Sequence, residues 1–165
     1  MKKRRIALGA IIILALCASA LGWGWYVLDQ RRRLPFPING EPVVGQRIYN
    51  QFLIIDRPPD GAPELRHWKV IGDPLPVPTD VAAEVRDILA SPSTYTMHDS
   101  HCFEPGMAIS FGGGPDRVDV LICLGCSRVV FYRGDSEVGH SLSNDGNKRL
   151  SAIYEQLFKI PATAH

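Results

Sequence analysis

A turn of three glycines, a proline and an aspartate, Gly112 to Asp116, constrains this chain more than any other feature, because it joins two apolar runs inside the stretch His101–Tyr132. Met107, Ile109 and Phe111 alternate with Ala108 and Ser110 before it. Val118, Val120 and Ile122 alternate with Asp119, Leu121 and Cys123 after it. Period-two patterning on both sides of a Gly/Pro/Asp cluster predicts strand, turn and strand. The glycines supply positive φ without a Cβ clash, and Pro-Asp suits a turn. With the loop centred near Gly114 and Pro115, antiparallel pairing gives partner numbers that sum to about 229, within two. Cys102 then falls opposite the region of Cys126, so three thiols, Cys102, Cys123 and Cys126, are expected to meet.

Such a cluster can stay as buried reduced thiols, or take up one of three chemistries. In an oxidising compartment one disulfide forms, Cys102 with Cys126 or Cys123, and the third thiol is buried. A zinc site would use Cys102, Cys123, Cys126 and a fourth ligand from His98, His101 or His140, with His101 the closest in sequence to Cys102. Soft thiolates with imidazole suit tetrahedral zinc, but a single CxxC without a second close pair is thin support. Thiol redox catalysis is disfavoured, because a thioredoxin-like CxxC opens a helix whose amide dipoles stabilise the thiolate, whereas Ser127 to Tyr132 is a β-former.

No other constellation carries chemistry. Asp99, Ser100 and His101 are consecutive, so their side chains diverge and cannot form a relay. The three glycines lack the Lys-Ser/Thr that would make a phosphate loop. Asp116 with Asp119, and Asp135 with Glu137, read as solvated turn and strand residues. No catalytic residue is assigned, and a non-catalytic role is favoured while the enzyme question stays open.

The amino end is different in kind. Lys2 to Arg5 precede 23 residues without charge, Ile6 to Leu28. A helix of that length spans roughly 34 Å, against a ~30 Å hydrocarbon core. Ile6, Leu14, Trp23 and Leu28 are therefore expected to line an N-terminal transmembrane helix, a signal anchor, with Trp23, Trp25 and Tyr26 at the interface. A signal peptide cleaved after Ala18-Ser19-Ala20, or lipidation of Cys17, are the alternatives. The expectation is a single-pass inner-membrane protein whose C-terminal domain lies in the periplasm or outside the cell, with the membrane as a partner.

Residues 34–165 carry 11 Lys/Arg and 16 Asp/Glu, a formal charge of −5. An acidic domain without a basic run is a poor polyanion binder, so nucleic acid is not expected as a partner. The chain divides into an anchor with flanks (1–33), a linker (34–63) and an α+β envelope domain (64–160). The linker assignment rests on six prolines, which fix φ and remove donors. Phe52–Asp56 is the one strand expected within it.

In the domain, Arg66–Gly72 predicts a strand, Thr79–Ala90 a helix N-capped by Thr79, Arg128–Tyr132 a strand, and Asn144–Lys159 a closing helix. Leu150, Ile153, Tyr154, Leu157 and Phe158 follow helical spacing. The fold class is α+β: a small antiparallel sheet with both helices packed on one face, through Val85, Leu89, Leu150, Ile153 and Leu157.

The run Trp68 to Gly72, with Cys102, Phe103, Pro105, Ala108, Phe111, Cys123 and Cys126, resembles an uncharacterised bacterial family of small exported or membrane-attached proteins with a C-F-x-P…C-x-x-C pattern. The resemblance covers about the last 100 residues, the size of one domain. Some members carry a histidine near Gly106 or Met107, where this chain has none. The resemblance implies export or membrane attachment and no activity. Two function classes follow. One is a non-catalytic envelope protein that is structural or binds a protein partner. The other is a zinc- or thiol-dependent function at Cys102, Cys123 and Cys126.

Overall fold

The computed structural model describes residues 17, 19, 21–24, 34–49, 58, 60–97 and 102–159. The chain forms two compact units, Met1–Arg33 and Leu34–His165. In the first, the described helical residues lie between Cys17 and Gly24, and Leu21 and Trp23 are 70% and 71% exposed. A spanning helix needs about 20 apolar residues. Among the described residues no helix is long and apolar enough to cross a membrane. That finding overturns the expected transmembrane helix, and with it the signal anchor and the single-pass inner-membrane assignment. Of the expected anchor residues, Ile6, Leu14 and Leu28 lie outside the described residues.

The second unit holds, among its described residues, eight strands and two α-helices. The strands are β1 (Val43–Ile48), β2 (Glu64–Leu65), β3 (Trp68–Pro76), β4 (Tyr95–Thr96), β5 (Met107–Phe111), β6 (Val118–Cys123), β7 (Arg128–Arg133) and β8 (Ser136–Leu142). The helices are α1 (Thr79–Ala90) and α2 (Asn144–Phe158). The sheet order is β2-β3-β1-β5-β6-β7-β8-β4, and every neighbouring pair is antiparallel. The β5–β6 register runs from Met107↔Ile122 to Phe111↔Val118, so paired numbers sum to 229 throughout.

Alternation along the strands divides the sheet into two faces. Met107, Ile109 and Phe111 of β5, Val120 and Ile122 of β6, and Val129 and Phe131 of β7 meet Val81, Val85, Ile88 and Leu89 of α1 and Leu150, Ile153 and Phe158 of α2. Both helices thus lie on one face, with Leu157 only partly buried at the margin. The opposite face buries Ile48, Val70, Ala108 and Leu121 under Leu65, Trp68, Phe103 and Tyr132. The central strands β5 and β6 are consequently buried at every position.

One detail of the helix ends differs from expectation. Thr79 is the first helical residue of α1, and Pro78 takes the cap position with no side-chain bond. Ser143 caps α2, its Oγ accepting from the Gly146 N–H at 3.1 Å. Gly146 must be glycine at that place: a Cβ there would stand 2.5 Å from the Thr94 carbonyl oxygen.

Residues 34–49 of the Pro-rich stretch are not a spacer. β1 sits inside the sheet between β3 and β5, and Ile38 is 2% exposed. Arg86 of α1 donates from Nε to the Ile38 carbonyl at 2.9 Å and from Nη2 to Glu41, which fastens this stretch to the helix. Prolines at 35, 37 and 42 all precede β1, so none removes a ladder donor from it. Phe52–Asp56, the strand expected there, lies outside the described residues.

Candidate functional site

The β5–β6 register carries the chain ends past the strands to one place. Cys102 and Cys126 are paired as a disulfide, with Cα atoms 5.9 Å apart across a sequence separation of 24. Closing a loop of that size stabilises a fold by roughly 3 kcal/mol in the chain-entropy account. Cys123, the last residue of β6, is a free and buried thiol. Residues 124–127 then turn the chain into β7, with Ser127 at φ 48°. That turn aims the Cys126 N–H at the Cys123 sulfur at 3.1 Å. Burial pushes the Cys123 thiol up, the Glu104 carboxylate adds to that, and the nearby backbone of Glu104, Cys126 and Gly125 offsets it only in part.

Cys102 is thus paired with Cys126, and Cys123 lies at the other end of the same tight turn as Cys126. Among the described residues no group of three or more His, Cys, Asp or Glu side chains is placed to hold a metal ion. His101 and His98 lie outside the described residues. His140 does not join the cysteines. It is paired with Val129, which faces the helices, whereas Cys123 alternates onto the opposite face with Asp119 and Leu121. Its ring lies 5.1 Å from Tyr95 and 6.0 Å from Phe131, centroid to centroid. Its Nε2 is buried without a hydrogen-bond partner, and burial lowers its pKa.

Asp119, expected to be solvated, is 2% exposed on the face away from the helices. Its carboxylate accepts from Arg66 Nε at 2.9 Å, Arg117 Nε at 2.6 Å and Ser110 Oγ at 2.7 Å. Arg66 also donates from Nη1 to the Gly134 carbonyl at 2.8 Å and covers the Tyr132 ring, 5.4 Å from its centroid. Burial, followed by the neighbouring Glu137 carboxylate, raises the Tyr132 hydroxyl pKa. Arg66 reaches this position because the β2–β3 hairpin turns on Arg66 and His67, both left-handed, at φ 53° and 72°. Neither is glycine, and such a backbone costs of order 1–3 kcal/mol per residue unless its surroundings hold it. The Asp119 carboxylate and the Gly134 carbonyl are what hold Arg66.

The same turn borders an open groove of about 560 Å³, lined by Tyr49, Pro58, Asp60, His67, Trp68, Lys69 and Glu104. Phe103, next to the disulfide, packs edge-on against Trp68 at 6.0 Å. The disulfide thus tethers the segment that supplies Glu104 to the groove and Phe103 to the ring of Trp68. Sequence reasoning singled out the cysteines but missed Asp119, Arg66 and the groove, since an aspartate between valines carries the pattern of a solvent-facing strand position.

Comparison with known proteins adds no relative: no family model, no curated protein and no solved structure matches this chain.

Proposed function

We propose that the unit beginning at Leu34 is a non-catalytic binding module that takes a basic segment of a protein partner in the groove beside Trp68. The observation that carries this reading is the groove lining, in which the carboxylates of Asp60 and Glu104 stand with the rings of Tyr49 and Trp68. A carboxylate beside an aromatic face is the pairing that attracts Lys and Arg side chains, by charge and by cation–π attraction. The formal charge of −5 over residues 34–165 favours the same partner and steers its approach. Lys69, also in the lining, restricts where the partner's cation can sit.

Fluorescence anisotropy with the oxidised full chain tests this, using labelled peptides of equal length centred on Lys/Arg or on Glu. The cationic peptides bind, the acidic ones do not, and affinity falls with added salt. Glu104→Lys and Asp60→Lys each weaken binding at least about tenfold, which corresponds to ~1.4 kcal/mol. Equal binding of both peptides, or affinities unmoved by both reversals, contradicts the reading.

A further inference from the structure

The third thiol is placed where it can act on the disulfide beside it. Cys123 and Cys126 flank two residues of one tight turn, and the Cys126 N–H already donates to the Cys123 sulfur at 3.1 Å. Cys102, at the other end of the disulfide, is exposed and begins a stretch, Cys102–Pro105, with no regular secondary structure. We propose that Cys123 is an internal nucleophile that exchanges the Cys102–Cys126 disulfide for a Cys123–Cys126 disulfide. The Cys123 thiolate attacks the Cys126 Sγ, the Cys102–Cys126 bond breaks, and its electron pair leaves on the Cys102 Sγ. Cys102 takes up one proton for the one that Cys123 lost. One disulfide is present before and after, so no oxidant or reductant is consumed.

The arrangement favours this direction of attack for two reasons. The Cys126 N–H fixes the Cys123 sulfur beside the bond it attacks, and because burial raises the Cys123 pKa the exchange is driven at alkaline pH, where the thiolate forms. The leaving sulfur is the exposed one, so water stabilises the departing thiolate. Exchange would cut the tether on Phe103 and Glu104 while leaving the β6–β7 turn closed, and so would loosen one wall of the groove. The chemistry itself does not depend on what that groove binds.

Peptide mapping of the full chain tests the inference, in a Cys17→Ser background so that the other free thiol cannot scramble the bonds. The oxidised protein is held at pH 8.5 for hours, quenched in acid, alkylated and cleaved with trypsin without reduction. Exchange appears as an alkylated Cys102 peptide together with a 118–128 peptide that carries an internal disulfide and no label. Cys123→Ser abolishes both signals and keeps the Cys102–Cys126 link. Cys102→Ala, oxidised during purification, is isolated with Cys123 and Cys126 bonded, which tests the same proximity if Cys123→Ser does not fold. A label found on Cys123 alone at every time point, or Cys102→Ala recovered with two free thiols in the 118–128 peptide, overturns the inference.

Discussion

Replacing the arginines around Asp119 gives losses that exceed the sum of the single changes. The side chain of Asp119 is 3% exposed, while those of Arg66 and Arg117 are 28% and 40% exposed. Arg66→Ala leaves the carboxylate with Arg117 and Ser110, and Arg117→Ala leaves it with Arg66 and Ser110. Arg66→Ala also loses the bond to the Gly134 carbonyl and Arg117→Ala the one to Ser110 Oγ, and with both guanidiniums partly solvated each loss is about 1–2 kcal/mol. The double variant leaves a buried carboxylate with a single hydroxyl, and an uncompensated buried charge costs about 3–5 kcal/mol. Asp119→Ala removes that charge and lets both guanidiniums rehydrate, so its cost, about 2 kcal/mol, is smaller than that of the double arginine variant. Urea unfolding followed by far-ultraviolet circular dichroism reads all four variants, and the coupling is the excess of the double loss over the two singles. Additive losses below about 0.5 kcal/mol each would show that Asp119 is solvated and that the strained turn is held by something else.

His140 makes stability pH-dependent. Its pKa is lowered in the folded state, so stability is full above its unfolded value of about 6.5 and is lost as pH falls below it. Melting temperature should drop between pH 7 and 5, and His140→Phe should flatten that part of the profile. Ile153→Ala, at a site 1% exposed, should cost ~2–5 kcal/mol, and Leu157→Ala, at the partly buried margin, about half as much. Equal losses in denaturant titrations would contradict the placement of α2. Gly146→Ala should cost ~1–3 kcal/mol, because its Cβ would collide with the Thr94 backbone; an unchanged unfolding midpoint would show that α2 does not approach that turn.

The parts of this fold that were legible in the sequence are those governed by local periodicity. The turn at Gly112–Asp116 and the alternation on either side specify a register summing to 229, and that register brings Cys102 to Cys126. The spacing of Val81, Val85, Ile88 and Leu89, and of Leu150, Ile153 and Phe158, specifies two helices with one apolar face each. What depended on distant contacts was not legible. Val43–Ile48 is a short strand behind prolines, and only its pairing with β3 and β5 makes it part of the sheet. Asp119 lies on a face that Leu65, Trp68 and Phe103 cover from far along the chain, so its alternation suggested solvent where there is none. Arg66 and His67 adopt left-handed backbone without the glycine that would announce it. At the amino end, counting uncharged residues predicted a membrane span that the described helical residues do not support.

The central claim is that the hairpin register pairs Cys102 with Cys126 and leaves Cys123 a buried thiol. Counting reactive thiols in the freshly oxidised full chain at neutral pH, before and after denaturation, tests it most directly. The free cysteines are the exposed Cys17 and the buried Cys123. The account predicts that Cys17 reacts at once, that Cys123 reacts only in denaturant, and that Cys102 and Cys126 react only after reduction. Prompt reaction of Cys102 or Cys126 in the native protein, or of all four cysteines in denaturant without reductant, would contradict it.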